Sequence, residues 1–162
     1  MINPATKVST PSAREVAVTR VFNASRKLVF DAHTKPELVK RWLYGPEEWR
    51  MEVCEIDLRV GGALRYVWRS KSKGDIGMSG VFREVEAPTR LVNTELFDED
   101  WTGGETVVTT RFEEAGGRTT VTYAVLYSSE EARDNVMKTG MMEGWSQGMD
   151  RLDEVLAEMS AG

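Results

Sequence analysis

Residues 51–69, MEVCEIDLRVGGALRYVWR, decide the fold. Cys54, Ile56 and Leu58 fall on one side of the first half and Glu55, Asp57 and Arg59 on the other, the two-residue period of a strand with one wet face. Gly61-Gly62 interrupts the pattern with residues suited to a tight turn. The alternation then resumes, with Leu64, Tyr66 and Trp68 sharing a face. Downstream, SKSKGDIG reads as a polar loop and MSGVFREVEA as a strand ended by Pro88. RLVNTELF, TVVTTRFEE and RTTVTYAVLY follow as three further strands separated by DEDWTGGE and AGG. Upstream, EVAVTRVF (15–22) places Val16, Val18 and Phe22 on one face. The expectation is seven strands, six of them consecutive and joined by links short enough for an antiparallel meander.

Between the first strand and the meander, Ser25 is suited to cap a short helix running to Ala32, and Thr34 with Pro36 and Glu37 to open a second. Gly45 and Pro46 end the pair. After the last strand, Ser128 and Ser129 precede Glu130 and Glu131, and a helical pattern runs to Met159 with a break near Gly140. In it Met142, Trp145, Met149, Leu152, Leu156 and Met159 recur at steps of three and four, one long apolar stripe. A sheet of this size with one apolar face and one long helix to cover it must curl around that helix. Residues 1–14, polar and broken by Pro4 and Pro11, are expected to form a flexible tail, and residues 15–160 a single domain.

The chain has 162 residues, 41% of them hydrophobic, and a net charge of −5, so its field repels phosphate backbones and nucleic acid is not an expected partner. No apolar run approaches the roughly 20 residues of a membrane-spanning helix, so membrane insertion is not expected. The amino-terminal residues lack a secretory signal pattern, and a single cysteine, Cys54, fits a reducing compartment. A cytoplasmic location is expected. One histidine and one cysteine leave too few soft ligands for zinc, and no motif implies a metal or cofactor.

The succession SRKLVFDAHTKPELVKRW, EIDLRVGGALRY, SGVFREVEAPTRLVNTE and EGWSQGMDRLDEVL resembles the Aha-type family, homologues of the C-terminal domain of the chaperone ATPase activator, within the START-like or SRPBCC superfamily. The likeness spans Val16 to Met159, and the Asp-x-Arg-x-Gly-Gly run with the Gly-Trp of the last helix is its most specific part. It implies an α+β helix-grip fold: a seven-stranded curved antiparallel sheet gripping the C-terminal helix over a cavity, with two short helices between strands 1 and 2. It does not imply one activity, because superfamily members include carriers, receptors and cyclases.

In a fold with a built-in cavity, Trp42, Tyr66, Trp68 and Trp145 are candidate walls, each equally readable as core. Leu64, Met141 and Met149 extend the apolar lining, and Thr94 and Thr110 supply polar groups. A small apolar molecule, lipid-like or an aromatic metabolite, is the expected partner. A cyclase or hydrolase using the same cavity is the alternative, with Thr94, Thr110, Tyr66 or Glu84 orienting or protonating the substrate. A chaperone-binding module ranks last. Gly140, Gly144 and Gly148 lie four apart on the last helix, and close packing is expected at Gly144. Asp57 and Arg59 read as exposed or turn-fixing charges, and Glu55 and Glu84 become interesting only if buried. His33 and Cys54 have the chemistry of a base and nucleophile, but no Asp or Asn partner is evident and His33, at a helix end, is expected to be a surface or capping residue. Trp101, in a glycine-containing loop, is either a homodimer contact or a loop anchor.

Overall fold

Each stretch with a two-residue apolar period becomes a strand, because alternate side chains can be buried on one face while backbone groups pair sideways. The computed structural model of the chain describes residues 4–161. In chain order it contains β1 (Lys7–Ser9), β2 (Glu15–Phe22), α1 (Arg26–Thr34), α2 (Pro36–Val39), β3 (Trp49–Ile56), β4 (Ala63–Ser70) and β5 (Gly74–Glu86). These are followed by β6 (Arg90–Phe97), β7 (Thr106–Ala115), β8 (Arg118–Leu126), α3 (Glu130–Met137) and α4 (Met141–Ala161). The strands form one antiparallel sheet in the order β1-β2-β8-β7-β6-β5-β4-β3. It curves around α4, giving the expected α+β helix-grip architecture.

The sheet has eight strands rather than seven. The additional one lies in the segment read as a tail: Lys7 pairs with Thr19 and Ser9 with Ala17. Three residues are too few for a two-residue period to show in a sequence. Residues 1–3 lie outside the described part. A second departure is Leu58, which alternation placed on the inner face but which is exposed, because β3 stops at Ile56 and the following turn rotates the chain out of the sheet. In that turn Gly61 takes a positive φ of 84°. At Gly62 a Cβ would lie 1.9 Å from the Asp57 carbonyl oxygen, so only glycine fits. Asp57 and Arg59 pair with each other across the turn at 2.9 Å, on the surface.

Ser25 caps α1 by accepting from the Leu28 N–H, and Ser129 caps α3 by accepting from that of Ala132. The long terminal helix is interrupted between Met137 and Met141, where the Thr139 hydroxyl donates to the Val136 carbonyl. The apolar stripe of α4 is buried at Met142, Met149, Leu152 and Leu156 against the inner face of β2, where Val16, Val18 and Phe22 are also buried. The fourth inward position of β2 is Arg20, 3% exposed, whose guanidinium pairs with Asp150 at 2.8 Å and Asp153 at 2.5 Å on α4. It also donates to the Thr6 hydroxyl, so one buried cation ties the first residues described to the last helix. Among the described residues no helix is long and apolar enough to cross a membrane.

Candidate functional site

Away from β2, the sheet and α4 separate and enclose a cavity of about 510 Å³. The inner faces of β4 to β8 form its floor and wall, and the start of α4 and residues 42–46 form its roof. β4 contributes Leu64, Tyr66 and Trp68, as their alternation requires. Thr110 comes from β7, while Met141 and Trp145 come from the first turns of α4. Trp42 closes one end, its indole N–H donating to the Ala32 carbonyl at 2.9 Å. The Trp68 indole donates to the Leu43 carbonyl at 2.8 Å, so each of these tryptophans is oriented by a backbone acceptor and presents its ring to the interior.

Thr94 and Met149 do not line this space. Thr94 has the opposite parity from Leu91 and Phe97 on β6, and its hydroxyl accepts from the Val81 N–H at 3.0 Å, stitching β5 to β6. Met149 is fully buried in the solid core between α4 and the sheet. The glycine row also differs from expectation. A Cβ at Gly148 would lie 3.0 Å from the Trp42 carbonyl oxygen, whereas one at Gly144 would meet only the Gly45 Cα, at 3.8 Å. The close approach is therefore at Gly148.

Three carbonyls of the roof segment converge on Arg151 of α4. Its guanidinium donates to Tyr44 and Gly45 at 2.6 Å each and to Trp42 at 3.4 Å. The same cation lies 3.8 Å from the centre of the Tyr44 ring. The lining also includes Ile76 and Trp101, which are 38% and 44% exposed, so the cavity reaches the surface there. Trp101 packs its ring 5.2 Å from that of Phe97.

The polar groups of the cavity are few. At the closed end, the His33 Nδ1 faces the Val29 carbonyl at 2.8 Å and must carry the proton, because a carbonyl only accepts. The Nε2 is then a bare acceptor, and the Tyr123 hydroxyl donates to it at 2.5 Å. Burial lowers the imidazole to about 4 and raises the Tyr123 phenol far above its ordinary range, so both are neutral at physiological pH. His33 is thus an interior residue rather than a surface one, packed by the rings of Trp42 and Phe112 at 4.9 and 5.1 Å. It makes no pair with Cys54, whose thiol burial pushes up to about 12 and so keeps protonated. Glu84 pairs with Arg90, and Glu55 is exposed.

Toward the rim stands Glu95 on β6. Burial raises its carboxyl to about 7, and the Asn93 amide is the donor that partly offsets this. Its charge is felt at the phenols of Tyr66 on β4 and of Tyr127, the residue that follows β8.

These features can be set beside known proteins. The family described as Activator of Hsp90 ATPase homolog 1-like protein matches residues 23–157. The chain belongs to this family. A crystal structure of a Rhodobacter sphaeroides protein is 33% identical and superposes with a TM-score of 0.90 over 95% of this chain and 99% of that one. An Arthrobacter aurescens protein solved in solution is 26% identical, with a TM-score of 0.83 over 95% and 92% of the two chains. The family's Aeromonas hydrophila member, at 21% identity and a TM-score of 0.69 over 90% and 95%, shares the fold. No curated protein matches the chain.

The helix-grip fold of this family is generally a ligand-binding one, and the cavity lies between its sheet and its helix. Sequence reasoning missed Glu95, Asn93 and the interior position of His33. The signal for the first two was present: Leu91, Asn93, Glu95 and Phe97 alternate on β6, so choosing the Leu91 parity rather than that of Thr94 brings Glu95 inward. For His33 no local signal existed, since the last turn of a short helix is usually exposed.

Proposed function

We propose that this protein binds a small, predominantly apolar molecule in the cavity beneath α4. The observation that supports this reading is a volume of about 510 Å³ walled by aromatic and aliphatic side chains, within the range typical of small-molecule sites. Transfer of apolar guest surface from water supplies the driving force, about 25 cal/mol per Å². Tryptophan rings held by backbone acceptors give a pre-shaped wall, which lowers the ordering cost of binding.

A neutral fluorophore, 2-(1-naphthyl)ethanol, tests the reading by titration. Saturable binding is expected, together with its loss in Thr110→Phe, which fills the interior while the far-ultraviolet circular dichroism stays unchanged. Absence of binding to the wild type, or equal binding to the filled variant, would overturn it.

Glu95 also favours a second reading, catalysis in the same cavity, because a carboxyl held near 7 suits a general acid or base. Slow hydrolysis of a naphthyl ester held in the cavity, abolished in Glu95→Gln, is the expected signature. Equal hydrolysis by both proteins would remove this reading.

A further inference from the structure

We propose that the cavity's guest is an amine, an apolar or ring-bearing body whose one protonated nitrogen seats against the Glu95 carboxyl. The proposal rests on the reading of the cavity as a binding site and names the chemical class of its occupant.

Charge is the first observation. Among the described residues no Lys or Arg lines the cavity, and His33 has both ring nitrogens engaged, so Glu95 is the one described lining group able to carry charge at neutral pH. A carboxylate guest such as a fatty acid would bring a second negative charge into a space without a counter-ion. An ammonium group supplies the missing one.

Hydrogen-bond polarity agrees. The Tyr123 hydroxyl has committed its proton to His33 and offers a guest only lone pairs, while an ionised Glu95 only accepts. The register Leu91↔Thr110↔Tyr123 puts these two acceptors four residue steps, roughly 13 Å, apart along the strand direction. Both of these groups accept from a guest, and the charged donor belongs at the Glu95 carboxylate.

The walls there suit a cation as well. Tyr66, Trp68, Phe97 and Trp101 form a continuous run of rings with centroid separations of 5.6, 6.3 and 5.2 Å, and Phe97 is the next inward residue after Glu95 on β6. Ring faces attract a desolvated ammonium group, which reduces the cost of removing it from water. Burial also leaves the Glu95 carboxyl protonated up to about 7, with only the Asn93 amide to stabilise its anion. The groups around it are the phenols of Tyr66 and Tyr127 and the Thr106 hydroxyl across the ladder, none of which ionises below neutrality. A guest entering as ammonium thus displaces the carboxyl proton into solvent, and binding near pH 6 releases a proton while forming the ion pair.

The test uses three molecules with one naphthyl body: 2-(1-naphthyl)ethylamine, 2-(1-naphthyl)ethanol and 1-naphthylacetate. For the wild type at pH 7.5 the amine is expected to bind at least about tenfold more tightly than the alcohol, with the carboxylate weakest. In Glu95→Gln the advantage of the amine over the alcohol should fall to within about threefold, with an unchanged far-ultraviolet circular dichroism spectrum reporting an intact fold. Calorimetry at pH 6 in buffers of different ionisation enthalpy should show proton release for the amine and none for the alcohol, with no variant needed. Alcohol binding that equals or exceeds amine binding would overturn the proposal and leave the cavity reading standing. Persistence of the amine preference in Glu95→Gln would likewise overturn it. Failure of all three molecules to bind would overturn both.

Discussion

At the closed end of the cavity His33 has a partner for each ring nitrogen and aromatic rings packed around it, whereas nearer the rim Glu95 has one amide donor and open volume before it. The same physics acts on both. Burial in a low-dielectric interior penalises charge, so the imidazole is lowered to about 4 and the carboxyl raised to about 7. The difference lies in what surrounds the neutral form. His33 is satisfied by Val29 and Tyr123 and anchors the wall, while Glu95 is left with acceptor capacity that the protein does not use. One titratable group in the cavity is therefore structural, and the other faces open volume.

The contrast breaks most visibly if the closed end is dispensable. Trp42→Ala removes a fully buried ring, its bond to Ala32 and its packing on His33, and a loss of about 3–5 kcal/mol is expected in denaturant titration. A loss below about 1 kcal/mol would show that this end does not hold the fold.

Glu95→Gln sharpens the other side, and its sign depends on pH. A carboxyl raised from 4.5 to about 7 binds more protons in the folded than in the unfolded chain, so its contribution to stability falls as pH rises between those values. The stability of Glu95→Gln relative to the wild type should therefore increase by up to about 3 kcal/mol from pH 4.5 to pH 7.5. His33 acts oppositely: its neutral folded form loses stability as pH falls from 6.5 through about 4. A flat difference between Glu95→Gln and wild type across this range would mean that Glu95 is solvated.

Tyr123→Phe leaves the His33 Nε2 without its donor and should cost about 1–3 kcal/mol by thermal or chemical denaturation. A neutral outcome would place water at that nitrogen and weaken the distinction between the two ends. The smallest effect separates the helix glycines. Gly144→Ala has room and gains helix propensity, so it should leave stability unchanged or raise it by up to about 1 kcal/mol. Gly148→Ala must push the Trp42 carbonyl and should be about 1 kcal/mol less stable than Gly144→Ala. Equal melting temperatures for the two variants would contradict the close approach.

Much of the fold was legible because its signals are local. Arg90–Phe97 was read to its boundaries, since alternation between turn residues leaves a strand little freedom, and Ser25 marked the start of α1 through the geometry of its own side chain. Lys7–Ser9 was missed because its pairing with β2 is set by register across the chain and not by any pattern within three residues. The aromatic walls were legible for the same reason as the strands: Leu64, Tyr66 and Trp68 inherit their direction from alternation. Thr94 and Glu95 are adjacent, so one wrong choice of parity exchanged an outer hydroxyl for an inner carboxyl. His33 and Met149 depended on how α1 and α4 sit on the sheet, which only packing reveals.

The grip of Arg151 on the roof segment makes the borders of the cavity unequal. To leave beneath residues 42–46, a bound molecule would have to wait for one guanidinium to release the Tyr44 and Gly45 carbonyls and the Tyr44 ring together, three losses at once with no intermediate that water satisfies cheaply. At Ile76 and Trp101 it would meet exposed side chains, which reorient within nanoseconds. A clamp on backbone carbonyls and a pair of exposed side chains thus border the same chamber.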